Sequence, residues 1–200
     1  MRGAHPLLLY VRSRRAAAAL TAAVSSTAAV WALAAALNDP AATRVLGLCA
    51  VAGGAAVAGP GLAGADVDLD RTAAIDWRPR RAAHIALVIA AALGLVAATT
   101  LTKYPLGPIP EVARNAVGAG GLLALAVTSL GASRAWIPLV LWAITATQIL
   151  EGFWSTANPP GYAQIITWAA QPATSGPASI TAVVLGIAGT VAYAGLGPRQ

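Results

Sequence analysis

The charges of this chain are spaced so that six long stretches carry none. No Asp, Glu, Lys or Arg occurs between Arg15 and Asp39, Arg44 and Asp66, Arg81 and Lys103, Arg114 and Arg134, Arg134 and Glu151, or Glu151 and Arg199. A helix needs roughly 20 apolar residues to cross about 30 Å of hydrocarbon. Apolar runs of that order cover about 16–37, 43–63, 82–102, 113–132, 135–151 and 177–196. They predict an all-α membrane protein, a single domain over 1–200 with six transmembrane helices. Only 10% of residues are charged and 58% are hydrophobic. A soluble domain carries about a quarter charged residues, so this chain cannot cover a water-facing surface. The first run follows arginines, as a signal peptide would. It is longer than a signal core and five more runs follow, so it is expected to be retained.

The basic residues set the orientation. With the N-terminus in the cytoplasm, Arg2, Arg12, Arg14, Arg15, Arg71, Arg78, Arg80, Arg81, Arg134 and Arg199 fall inside, and only Arg44, Lys103 and Arg114 fall outside. Positive charge accumulates on the cytoplasmic side. The chain is therefore expected in the cell membrane, multi-pass, with both termini cytoplasmic. The net charge of +6 is then topology-setting charge beside anionic headgroups, and no nucleic-acid partner is expected. Cys49 is the single cysteine and lies in an apolar run, which excludes a disulfide or a thiolate metal cluster.

Ahead of the first run, residues 5–15 place Leu7, Leu8, Leu9, Tyr10 and Val11 beside Arg12, Arg14 and Arg15. Such a segment reads as an N-terminal interfacial helix, apolar side chains in lipid and arginines at the headgroups. A plain tail is the alternative. Small residues abound in the runs and favour close helix packing. Gly59-Pro60-Gly61 predicts a kink or an early helix end. The segment 152–176 is uncharged, broken by Pro159-Pro160 and Pro172, and contains the short amphipathic piece YAQIITWAA. It suits either a re-entrant element or an interfacial loop anchored by Trp154, Tyr162 and Trp168.

Residues 66–81 concentrate Asp66, Asp68, Asp70, Arg71, Asp76, Arg78, Arg80 and Arg81, eight of the twenty charged residues. Alternating Asp opens a calcium loop, but that loop needs Gly at its sixth position and Glu at its twelfth, where this chain has Arg71 and Trp77. A short cytoplasmic helix, capped by Asp66 or Asp68 with arginines beyond its end, suits the helix dipole better. Its charges either serve a protein partner or only fix topology. No catalytic set is present. His5 and His84 are far apart, and GxSxG, HExxH and a P-loop are absent. No carboxylate lies at mid-span, where an ion-coupled pump would need one. Gln148 and Glu151 share a face near the end of the fifth run, where they would line an outer cavity.

The stretch LAGADVDLDRTAAIDWRPRRAAH resembles the loop between the second and third spans of small actinobacterial type-2 ABC exporter permeases. EVARNAVGAGGLLALAVTSLGASRAWIPLV is similar to the same proteins in its RN, GL and LGAS-R-AW elements. The resemblance covers the whole chain and implies a permease subunit, not catalytic by itself, that exports a hydrophobic or amphipathic substrate. It implies that Asp66, Asp68, Asp70, Arg71 and Asp76 form a coupling helix seated on a separate nucleotide-binding ATPase subunit. A second permease subunit would complete the pathway. No cofactor is expected on this chain; ATP and Mg belong to the partner. The outer gate would fall at 152–176, with Gln148, Glu151, Trp154 and Trp168 along the pathway. An ion-coupled secondary carrier and a membrane anchor or assembly protein are the rival readings.

Overall fold

A computed structural model describes residues 16–63, 77–153 and 159–199, and within them every regular element is helical. Helix α1 spans Ala16–Leu37, α2 Pro40–Leu62, α3 Arg78–Ala98, α4 Ile109–Leu130 and α5 Trp136–Phe153. A short α6, Gly161–Ile166, and a 3-10 turn, Trp168–Ala170, precede α7, Gly176–Leu196. A second 3-10 turn, Thr99–Leu101, prolongs α3.

Local chemistry sets the corners. Asn38 closes α1 in the left-handed region at φ 48°, a conformation that Asn tolerates better than most side chains. The next residue, Asp39, caps α2 by accepting from the backbone N–H groups of Ala41 at 3.0 Å and Ala42 at 3.4 Å. Pro40 follows at the first helical position, where its missing N–H costs nothing. The three residues Asn38-Asp39-Pro40 thus stop one helix and start the next. Proline also opens α3, α4 and α7. The Gly59-Pro60-Gly61 break falls in the last turn of α2, which ends at Leu62.

Five helices, α1, α2, α3 with its 3-10 extension, α4 and α7, are long and apolar enough to cross a membrane. The chain is a multi-pass membrane protein on that ground. The fifth helix is shorter, with an apolar stretch of Trp136–Ala146. Helix α4 is the centre of the bundle: 61% of its apolar window is buried, against 17% for α1 and 22% for α7. Its most extensive partner is α7. There the backbones touch. A Cβ on Gly189 would stand 2.1 Å from the Gly121 carbonyl oxygen, and one on Gly121 would stand 2.2 Å from that of Leu185. In lipid the hydrophobic effect does not drive helices together, so close packing of small residues does.

Successive helices run up and down, and their ends gather at two poles. At one pole the Tyr193 hydroxyl donates to the Leu62 carbonyl. There too the Arg199 N–H donates to the Val127 carbonyl at 3.1 Å, and the Arg81 guanidinium lies against Gly197. At the other pole Trp31 Nε1 donates to Thr102 Oγ1 at 3.0 Å, joining the ends of α1 and α3. Leu106 N–H donates to Thr99 Oγ1 at 3.0 Å and folds the α3–α4 link back over the bundle.

The sequence-predicted interfacial segment with Arg12, Arg14 and Arg15, and the coupling residues Asp66, Asp68, Asp70, Arg71 and Asp76, lie outside the described residues.

Candidate functional site

Residues 159–175, between α5 and α7, fold into the bundle as a plug. Its polar side chains are spent on one another and on its own backbone. Gln164 Nε2 donates to the Pro159 carbonyl at 2.8 Å, and its Oε1 accepts from the Ser175 hydroxyl at 2.9 Å, so one side chain ties the two ends together. The Thr167 hydroxyl donates to the Ala163 carbonyl at 2.6 Å and accepts from Gln171 Nε2 at 2.7 Å. Thr167 and Gln171 are both buried. Burying such groups is tolerable only because each has a partner.

Trp168 anchors the plug. It is buried, and its indole stacks on Trp142 of α5 with ring centroids 5.1 Å apart. Its other neighbour is Gly118 of α4, where a Cβ would stand 2.2 Å from the ring. Gly118 lies nine residues into α4, about 13 Å along a helix rising 1.5 Å per residue. The indole therefore reaches well below the start of the helix. Trp142 Nε1 adds a 2.8 Å hydrogen bond to the Ile166 carbonyl. Tyr162, on the same segment, is exposed.

A latch holds the far side of the plug. Arg114 and Asn115, consecutive on α4, are buried at 9% and 6% exposure. The Arg114 guanidinium donates to three backbone carbonyls: Pro172 at 2.9 Å, Gln171 at 2.6 Å and Ala169 at 3.2 Å. Its Nε donates to Asn115 Oδ1 at 3.3 Å, and Asn115 Nδ2 donates to the same Ala169 carbonyl at 2.9 Å. A guanidinium presents five donors in a fixed fork, and here that fork is closed on main-chain oxygens of one turn. The sequence reading counts Arg114 only as an external topology charge. The missed signal was its setting: an Arg-Asn pair more than one turn inside a helix that begins at Ile109, four residues earlier than the apolar run suggested.

Two voids flank the plug. A cavity of about 500 Å³ lies between α2, the α3–α4 link and α4, with Thr43, Arg44, Glu111, Asn115 and Ala169 in its lining. An apolar groove of about 290 Å³ runs between α2 and α5, bounded by Cys49, Trp142 and Ala170. Gln148 is exposed on α5 and lines neither void. The Glu151 side chain and the whole of Trp154 lie outside the described residues. Among the described residues, no three His, Cys, Asp or Glu side chains gather as a metal site.

The opposite pole has another character. Trp77 stands before α3, with the Arg80 guanidinium 5.4 Å from its ring centroid. Trp77 Nε1 and Arg81 Nε are buried and have no hydrogen-bond partner among the described residues. Arg78, Arg80, Arg81, Arg134 and Arg199 all belong to this pole, while the plug pole carries Asp39, Arg44, Lys103, Glu111 and the buried Arg114. No protein-family model, curated protein or solved structure matches the chain.

Proposed function

We propose that the chain is the permease subunit of an ATP-driven exporter, working with a separate nucleotide-binding subunit and a second permease subunit. In this reading α5 completes six spans, and the arginine-rich pole faces the cytoplasm by the positive-inside rule. The observation that carries the reading is the contrast between the poles. One is sealed by a plug with satisfied hydrogen bonds, as an outer gate requires. The other presents the exposed arginines Arg78 and Arg80 at the root of 64–76, as a docking end requires. The Asp66–Asp76 segment would seat on the ATPase, and its movement would be passed along α2 and α3 to the plug. ATP and Mg stay on the partner. The substrate class is hydrophobic or amphipathic, in keeping with the largely apolar groove beside the plug.

The rivals fit less well. An ion-coupled carrier uses a buried carboxylate; among the described side chains Asp39 is exposed and Glu111 half-buried. Arg114, the one buried charge among the described residues, is committed to main-chain carbonyls. An anchor or assembly protein has no need of a latched plug. Affinity purification from native membranes in mild detergent separates the three. A P-loop ATPase in comparable amount is the expected result. Purification of the chain without one, together with ion-gradient-driven flux or no flux, would overturn the exporter reading.

A further inference from the structure

The cavity and the groove are neighbours that share part of their lining. Leu48 lines both, and the 3-10 turn of the plug gives Ala169 to one and Ala170 to the other. Along α2 the cavity is centred nearer the helix start, reached by Pro40, Thr43 and Arg44, and the groove extends deeper, to Ala56. At 1.5 Å per residue, Ala56 lies about 18 Å further along the axis than Arg44. A polar chamber thus sits near the end of the bundle, with an apolar slot leading inward from it. The two charges of the chamber are of opposite sign and come from different helices: Arg44, exposed, on α2, and Glu111, half-buried, on α4. Neither forms an ion pair among the described residues. Glu111 also acts electrostatically on Arg114, one turn on along α4, yet its carboxylate and the Arg44 guanidinium both line the chamber and together suit a ligand with both signs. The slot accepts a chain of methylenes by packing, since its lining is almost wholly apolar.

We propose that the two voids form one binding site for a zwitterionic, single-chain lipid. Its ammonium group lies at Glu111 and its anionic group at Arg44. Its chain passes Leu48 into the groove beside Trp142. The ligand enters with its head at the plug pole and its tail toward the bundle centre, the orientation of a lipid in the adjoining leaflet. The site touches Asn115 and Ala169 of the latch, so occupancy and plug position are coupled through shared residues. It stands whether or not an ATPase drives the chain.

Lysophosphatidylethanolamine is the probe. The full chain, purified in a non-ionic detergent, is titrated and bound lipid is read by native mass spectrometry. Lysophosphatidylglycerol, which lacks the ammonium, and phosphoethanolamine, which lacks the chain, serve as separate arms. Saturable binding of one lysophosphatidylethanolamine is expected, tighter than either arm. Glu111→Gln removes the preference over lysophosphatidylglycerol. Arg44→Gln weakens both lipids about tenfold, the order expected for a charged hydrogen bond. Leu48→Trp, which fills the junction, weakens the lipids and spares phosphoethanolamine. Arg44 and Glu111 are not core residues, so their variants keep the fold, which circular dichroism verifies. Equal binding by wild type and both charge variants would overturn the site. So would phosphoethanolamine binding as tightly as the intact lipid, because the groove would then contribute nothing.

Discussion

The two poles of this bundle solve the same problem in opposite ways. Each must end several helices and deal with the polar groups left there. The plug pole does so internally: Arg114, Asn115, Gln164, Thr167 and Gln171 direct their donors to carbonyls and hydroxyls of the same short segment. The arginine-rich pole leaves Trp77 Nε1 and Arg81 Nε unpaired among the described residues, with Arg78 and Arg80 exposed beside them. A pole complete in itself can hold a closed state unaided. A pole with exposed arginines is open to a partner. Substitution at the first pole is therefore expected to act on stability, and substitution at the second, in the proposed reading, on coupling.

The largest expected effect is at the latch. Arg114→Leu removes three hydrogen bonds to the plug and strands the buried Gln171 carbonyl, at a cost of roughly 3 kcal/mol. It should lower the melting temperature in detergent and open the 161–175 segment to protease. Arg134→Gln, at the other pole, should leave both unchanged; equal damage from the two would break the comparison. Next comes the α4–α7 contact. Gly189→Ala places a methyl 2.1 Å from the Gly121 carbonyl oxygen, so the helices must separate, costing about 1–3 kcal/mol. Asp39→Ala removes the cap of α2 and should cost about 1 kcal/mol, read as a smaller melting shift. Smallest of all is Gly53→Ala, where nothing lies within 4 Å of the new methyl. Helix propensity makes it neutral or slightly stabilising, by up to about 1 kcal/mol. A loss at Gly53 matching that at Gly189 would mean that backbone contact is not what joins α4 to α7.

Much of the fold was legible in the chain itself. Charges are expelled from hydrocarbon, so the uncharged runs mark the long helices: each of the six runs matches a helix to within about four residues, and five of those helices are long and apolar enough to cross a membrane. The caps were legible in principle too, because Asn38-Asp39-Pro40 carries its turn chemistry in adjacent residues. The plug was not. The burial of Trp168 depends on the missing side chain of Gly118, fifty positions earlier on another helix, and on the Trp142 ring. Hydropathy sees none of these pairings, so a re-entrant element and an interfacial loop looked alike. The latch was hidden for a further reason. The partners of Arg114 are main-chain carbonyls, which every residue has, so no side-chain pattern announces them.

In the proposed mechanism energy arrives at the arginine-rich pole through 66–81 and is used at the plug. Its most direct test is the ATPase rate of the co-purified complex in proteoliposomes, for wild type and for Asp70→Arg combined with Arg71→Glu. The account predicts that the wild-type chain stimulates its partner, and that the charge swap abolishes stimulation while insertion and melting temperature stay as they were. Unchanged stimulation by the swapped chain would contradict it.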